Sequence, residues 1–318
     1  MKAIVCTNYG APEVLQLKEV SKPNLKPNEI LIKIKATAVN SGDVRLRKAD
    51  PFAVRLFFGF TKPRQPILGA VYSGEVESVG NQVSLFKIDD QVFGHTDMRF
   101  GAYAEYICVK ENSSLAIKPA AIKHIEAAVV PFGGTTALHF IKQAAIKPGQ
   151  KVLIVGASGA VGSAAVQLAK YYGAHVTGIC STSNLGLIKS LGADEVIDYS
   201  KEDFTKNGEI YDVIFDTVNS ISVLGCLKSV HKKGILILSA AGMAETFAGL
   251  FVSATSSKKV LSGMIKHQAA DIVFLKELLE AGKLKPVIDR TYSLEQMAEA
   301  HAYVEMGHKK ANVAVVIN

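Results

Sequence analysis

Four cysteines, Cys6, Cys108, Cys180 and Cys226, are all that this sequence of 318 residues contains, and no two form a C-x-x-C pair. Thiols so scattered exclude a disulfide framework and a cysteine-rich zinc site, and they read as small buried hydrophobes. Nowhere do about 18 apolar residues follow one another without a break, so no membrane-spanning helix is expected. The opening MKAIVCTNYGAPEVL lacks the apolar core and cleavage site of a secretory signal, which leaves a cytoplasmic address as the reading. A dense basic block is also missing. The net charge of +7 is spread over pairs such as Lys232-Lys233, Lys258-Lys259 and Lys309-Lys310, which argues against a nucleic-acid partner. A basic surface suits an anionic small molecule, although solvated surface lysines are the plainer account of any single pair.

What is present is ordinary for a packed globular chain: 48% hydrophobic and 20% charged residues, over a length that suits two domains. The texture changes near residue 120. Before it come short alternating runs broken by turns: Glu29–Lys35 (EILIKIK), Gly74–Val79 and Ala102–Val109. In the first, Ile30, Ile32 and Ile34 share one face, as a half-buried strand requires. This part reads as β-rich. After residue 120, strands at Lys151–Val155, His175–Cys180, Glu195–Asp198, Tyr211–Asp216 and Gly234–Ser239 alternate with helical stretches, among them Ser163–Tyr172 and Asn184–Leu191. Short apolar strands alternating with helices predict an α/β fold with a parallel sheet covered on both faces. Two further helices, Asp271–Ala281 and Ser293–Met306, precede a last strand, Val313–Ile317.

The most informative segment runs from Val155 to Gly162, V-G-A-S-G-A-V-G. It follows a strand and opens a helix, the setting in which a glycine-rich turn receives the pyrophosphate of a dinucleotide. Gly156, Ser158, Gly159, Ala160, Val161 and Gly162 are therefore candidate cofactor contacts, with the helix N-terminus facing the phosphate charge. The spacing is G-x-x-G-x-x-G, and a purely structural turn is the alternative. The end of the second strand bears on which dinucleotide. An NAD-binding chain places a carboxylate there for the ribose hydroxyls, and no Asp or Glu occurs from Gly156 through Ala193. Ser181, Ser183 and, on the next helix, Lys189 suit a 2′-phosphate instead, which favours NADPH. The serines also serve as caps of that helix under a simpler reading.

The chain resembles the medium-chain dehydrogenase/reductase superfamily, in its zinc-free quinone oxidoreductase branch. The residues that carry the likeness include MKAIVCTNYGAPEVLQLKEV, Ala38–Val44 (AVNSGDV), Leu68–Gly80, Pro131–Ala137 (PFGGTTA), GASGAVGS, LGADEVIDY and GHKKANVAVVI. The resemblance implies a GroES-like catalytic domain at 1–120 and 260–318 with a Rossmann domain at 121–259. Zinc-dependent relatives carry a metal-binding Cys where this chain has Asn40, and a His-Glu pair at Ala70-Val71; a lobe of clustered cysteines is missing as well. No metal site is therefore expected, and His95 and His124 read as structural histidines. The resemblance also places Thr135 by the nicotinamide, Tyr199 with the serines near the 2′-phosphate, Thr217-Val218 and Ser239-Ala240 at the sheet edge, and Asn312 near the cofactor. Many relatives have a basic residue at the Ser183 position, and many have Asp at the Val71 position. A homodimer is implied too, with Gly234–Leu238 expected near a sheet edge.

Without a metal to polarise an alcohol, the chemistry expected is hydride transfer from NADPH to an activated acceptor, a quinone or an α,β-unsaturated carbonyl. Asn40 is the candidate to orient substrate or nicotinamide, or else it merely stabilises the turn it shares with Ser41-Gly42-Asp43. Phe52–Phe60 (FAVRLFFGF) reads as an apolar lid or as packed core. Tyr106 and Lys110 match the Tyr-x-x-x-Lys of short-chain dehydrogenases but stand upstream of the glycine turn, which argues against that fold. The reading from a different class is a non-catalytic NADPH-binding protein with a structural or RNA-binding role.

Overall fold

The computed structural model describes residues 1–265 and 267–318. In chain order its strands are β1 (Lys2–Cys6), β2 (Leu15–Glu19), β3 (Glu29–Val39), β4 (Val71–Val79), β5 (Gln91–His95), β6 (Tyr106–Lys110), β7 (Leu115–Ile117), β8 (Lys151–Val155), β9 (His175–Cys180), β10 (Glu195–Asp198), β11 (Tyr211–Asp216), β12 (Val230–Leu238), β13 (Lys259–Ser262), β14 (Ile288–Ser293) and β15 (Asn312–Val316). They divide between two units. One comprises Met1–Phe132, His267–Gly282 and Pro286–Asn318, the other Gly133–Lys266 and Lys283–Lys285.

The first unit is β-rich and built around β3. Ile30, Ile32 and Ile34 are at most 1% exposed while Lys33 is exposed, the pattern that E-I-L-I-K-I-K encodes. β3 pairs antiparallel with β4, β6 and β15, and the wider sheet runs β14-β15-β3-β4-β5-β7. Gly74–Val79 forms the greater part of β4, whereas Ala102–Val109 shortens to β6 because Ala102 and Tyr103 turn inward as buried loop residues. The helix expected at Asp271–Ala281 spans Ala269–Glu280. The one expected at Ser293–Met306 resolves into a 3-10 turn, Leu294–Gln296, and a helix, Met297–Glu305.

In the second unit six strands form a parallel sheet in the order β10-β9-β8-β11-β12-β13. Its central strands carry apolar runs, with Val152–Val155 and Val213–Phe215 at most 3% exposed, as a sheet covered on both faces requires. Gly234–Leu238 lies near the edge: it belongs to β12, between β11 and the edge strand β13. One expectation needs correction. The divide between units falls after Phe132, about a dozen residues beyond the change in texture. The short helix His124–Ala128 explains the offset, since Ile125, Val129 and Phe132 pack with Ala38, Val71 and Ala314 of the first unit. Near the far end, Gln167 trades hydrogen bonds with the Lys285 backbone (2.8 and 3.1 Å), which binds 283–285 to the second unit.

Candidate active site

The glycine turn is fixed by close backbone approach. Gly156 has φ +74°, and a Cβ there would lie 2.6 Å from Val218 Cγ1; a Cβ on Gly162 would lie 2.1 Å from the Gly156 carbonyl oxygen. Only glycine fits either position. The helix Ala160–Tyr171 begins at Gly159, whose lack of a side chain leaves the N-terminus with no side-chain cap. Its first N–H groups are thereby left for an anion. Ser158 and Val161 are half-buried around this opening, at the carboxyl end of β8. Strand order reverses there, with β9 on one side of β8 and β11 on the other, which is where open α/β sheets hold ligands. The Thr217 hydroxyl donates to the Val155 carbonyl (2.9 Å), so it braces the turn from β11, and Val218 stands half exposed beside it. Ser239 donates its backbone N–H to the Asp216 carbonyl (3.1 Å), with Ala240 half-buried next to it. Thr135 is fully buried in the helix Val130–Ala144. The residues of this cradle fit a dinucleotide.

At the end of β9 the structure brings Ser181, Ser183 and Tyr199 together. The two serine hydroxyls are 3.3 Å apart, Asn184 donates to Ser181 Oγ (3.0 Å), and the Tyr199 N–H bonds the Cys180 carbonyl (3.2 Å). Lys189 is not brought to them. Its ammonium donates to the Asp194 carbonyl at the amino end of β10, away from the carboxyl edge where the serines lie. A residue that sequence reasoning missed is Asp198. Parallel pairing sets it beside Cys180, and its carboxylate accepts from Thr182 Oγ1 (2.5 Å), Ser200 N (3.0 Å) and Ser200 Oγ (2.7 Å). Those bonds, that from Thr182 foremost, hold its pKa below the usual range. Lys201 stands 3.9 Å away and supplies the nearby cation.

In the first unit, Asn40 follows β3 at the N-cap of the helix Ser41–Lys48, and its backbone N–H donates to Asp43 Oδ2 (2.9 Å). This N-x-x-D spacing supplies the return half of a capping box, from the third helical residue to the cap backbone. Asn40 is 2% exposed; its Nδ2 makes no hydrogen bond of normal geometry, and its side chain lies close enough to the Asp43 carboxyl to favour the ionised form. The pairing Val313–Val39 brings Asn312, one residue further along β15, next to it; Asn312 Nδ2 donates to the Val287 carbonyl (3.0 Å) and its Oδ1 is likewise unpartnered. Ala70 and Val71 supply no metal ligand. Behind Asn40 lies a buried polar network: Asp43, then Tyr103, whose hydroxyl is 3.1 Å from His301 Nε2, and Arg47 paired with Glu305.

His95, read from sequence as a structural histidine, has close neighbours. Among the described residues, His95, Asp97 and His267 bring potential ligand atoms within 4.8 Å of one another. The two imidazoles stack at 3.9 Å with planes 19° apart, and His95 Nδ1 accepts the Asp97 N–H at 2.8 Å. In-plane lone pairs of stacked rings run side by side instead of converging on one point. His124 Nδ1 lies 2.8 Å from the Ser73 hydroxyl.

The network beneath Asn40 carries two opposed titrations. Burial raises the Asp43 carboxyl from 3.8 to about 6. Burial, aided by Arg47, lowers the His301 imidazole from 6.5 to about 3. Asp43 therefore contributes stability that is complete below pH 3.8 and is lost as pH rises through 6. His301 contributes stability that is present above pH 6.5 and is lost as pH falls toward 3. Between these limits the slopes oppose, each up to about 1.4 kcal/mol per pH unit. Relative to the wild type, His301→Gln is expected to gain stability on going from neutral to mildly acidic pH, and Asp43→Asn to lose it, as read by denaturant unfolding.

Two family models match this chain: the alcohol dehydrogenase GroES-like domain over residues 26–119 and the zinc-binding dehydrogenase over residues 191–315. It is 34% identical over 327 residues to the 2-methylene-furan-3-one reductase of Solanum lycopersicum, covering 99% of this chain and 79% of that protein. The NADPH-dependent alkenal/one oxidoreductase of Arabidopsis thaliana chloroplasts is 33% identical over 329 residues, with 99% and 79% covered. The quinone oxidoreductase from Coxiella burnetii superposes with a TM-score of 0.90 at 28% identity, over 100% of this chain and 99% of that one. This chain is an NAD(P)H oxidoreductase and belongs to the medium-chain dehydrogenase/reductase superfamily, in its zinc-free quinone oxidoreductase branch.

Proposed function

We propose that the protein uses NADPH to reduce a quinone or an α,β-unsaturated carbonyl, without zinc. The observation that carries this reading is the cradle at Gly156–Gly162, an uncapped helix N-terminus beside a strand end with serines where an NAD-binding chain has a carboxylate. Ser158, Gly159, Ala160 and Val161 hold the pyrophosphate. Ser181, Ser183 and Tyr199 hold the 2′-phosphate, with Lys201 as the nearby cation in place of Lys189. Thr135, Thr217-Val218, Ser239-Ala240 and Asn312 border the rest of the cofactor. When bound, NADPH supplies the hydride.

Asn40 orients the acceptor. Its buried Nδ2–H, which makes no hydrogen bond of normal geometry, donates to the acceptor's carbonyl oxygen and stabilises negative charge as it grows there. A buried donor left unmade costs about 1–3 kcal/mol, so a substrate oxygen relieves a penalty already present. The Asp43 carboxylate fixes the Asn40 backbone, and solvent delivers the final proton. The names of the relatives, which include an alkenal/one oxidoreductase and a quinone oxidoreductase, support this choice of acceptor. With Asn40, Ala70 and Val71 in place of the ligands of zinc-dependent relatives, nothing there suits zinc. Free cysteines at Cys6, Cys108, Cys180 and Cys226 support a reducing compartment such as the cytoplasm.

Three outcomes are expected. Wild type prefers NADPH over NADH by at least about tenfold, since two charge-assisted bonds are worth roughly 1.5–3 kcal/mol each when well formed. Ser181→Asp then weakens NADPH far more than NADH, because a new like charge faces the phosphate; equal weakening in fluorescence titrations removes the 2′-phosphate pocket from this account. Elemental analysis finds no stoichiometric zinc, and NADPH oxidation with quinones and enones persists in a chelator; one tightly held zinc per chain contradicts the mechanism. Finally, light scattering at micromolar concentration gives a dimeric mass. The edge strand β13 and the helix Met243–Thr255, whose Phe247, Leu250 and Phe251 are 62–69% exposed, support that assembly.

A further inference from the structure

In the unit that holds Asn40, the stretch 52–60 turns its largest apolar side chains outward. Phe52, Leu56, Phe57 and Phe60 are 62–75% exposed, so the packed-core reading fails for these four. The segment is nonetheless anchored. Val54 and Phe58 pack against the unit's core, and Phe58 meets Phe100 edge to face with ring centroids 5.7 Å apart. The Tyr9 hydroxyl donates to the Gly59 carbonyl (2.7 Å), and the Arg64 N–H donates to the Phe58 carbonyl (2.7 Å). Gly59 has φ +123°, and a Cβ there would lie 2.2 Å from the Lys62 carbonyl oxygen, which fixes the turn after the helix Val54–Phe58. The outward side chains are thus presented by a held backbone.

Along this stretch of sequence basic side chains outnumber acidic ones. Arg45, Lys62 and Arg64 are exposed, and the half-buried Arg55 guanidinium lies 5.2 Å from the Phe52 ring. Asp50 is the one carboxylate between Arg45 and Ser73 in the sequence. The neighbouring Arg47 and Lys48 are already paired with Glu305.

We propose that this face docks on an anionic lipid surface, with Phe52, Leu56, Phe57 and Phe60 entering the boundary between headgroups and acyl chains and the four cations facing lipid phosphates. A short segment that pairs apolar with basic side chains lies in that interface without spanning it. A second copy is a poor occupant, since two-fold pairing would set these cations against themselves. Aromatic side chains that stand out from the surface suit a fluid medium that closes around them, whereas a folded partner must supply a matched cavity.

Co-sedimentation of the full chain with phosphatidylcholine vesicles, with and without phosphatidylglycerol, tests this without recourse to activity. Wild type is expected to bind the mixed vesicles and not phosphatidylcholine alone. The double variant Leu56→Ser, Phe57→Ser should bind roughly tenfold more weakly or worse. Lys62→Gln and Arg64→Gln should each cost roughly fivefold, and raised salt should weaken the wild type in the same direction. Turnover of a water-soluble quinone without vesicles should stay unchanged in all variants. Equal binding to both vesicle types, or undiminished binding by the serine variant, overturns the proposal. So does a wild type that ignores vesicles but binds polyglutamate, which would assign the face to an acidic protein. A variant that loses dimeric mass, or raises KM for the soluble quinone, likewise gives the face to a second copy or to the substrate.

Discussion

The nucleotide-binding half depends on a place where backbones meet without room for side chains. A Cβ at Gly162 would strike the Gly156 carbonyl at 2.1 Å, and one at Gly133 would strike the Ala160 carbonyl at 2.3 Å. The start of the helix Ala160–Tyr171 is thereby pressed between the turn that leaves β8 and the helix Val130–Ala144. Close approach sets where its N-terminus ends up, and Gly159 at the cap leaves that N-terminus unsatisfied. The uncapped helix start at this edge is a consequence of packing: the same lack of side chains that lets the backbones converge leaves the N–H groups bare. Thr217 and Val218, on β11's far end, close the remaining side of the turn, so a change at any of these glycines disturbs the sheet and the phosphate cradle together.

What was legible in the sequence is what depends on neighbours along the chain. The alternation of Ile30, Ile32 and Ile34, the apolar run of β8 and the glycine spacing each encode their own local conformation, and they appear where expected. Register and direction are another matter. Lys189 is close to Ser181 in sequence, but the helix Leu185–Ser190 aims it at Asp194, at the opposite edge of the sheet. Asp198 is seventeen residues from Ser181 yet adjacent in space, because β10 pairs in parallel with β9. β13 escaped notice since two apolar residues, Val260 and Leu261, hardly make a pattern. The aromatic run at 52–60 has no period at all, so it could not reveal which side chains face out.

The same distinction holds around Asn40. Its capping partner Asp43 is three residues away, a spacing that a helix start explains. The groups behind it come from far along the chain: Tyr103 and His301 are 198 residues apart, and Arg47 and Glu305 are 258 apart. No local signal announces such a meeting. It is also an expensive arrangement, because Arg47 Nε and His301 Nδ1 are buried without partners. Apolar side chains of similar volume would fill the space at less cost. What the polar set adds is a fixed orientation for the backbone that carries Asn40, whose own amide Nδ2 makes no hydrogen bond of normal geometry.

Cofactor preference turns on a finer balance than the absence of a carboxylate between Gly156 and Ala193. Asp198 does place a negative charge at that edge, and it is held ionised. Its oxygens, however, are occupied by Thr182 and Ser200, with Lys201 at 3.9 Å offsetting its field. Ser181 is half-buried at the end of β9, and Asn184 orients its hydroxyl: by donating to Ser181 Oγ, it leaves the serine's own proton to be given away. Ser183 is 3.3 Å off and can take that proton; a phosphate oxygen is the stronger acceptor. The 2′-phosphate pocket proposed above grips through oriented hydroxyls instead of a guanidinium. In that proposal discrimination rests on geometry at short range, and the exposed Lys201 adds attraction that salt screens.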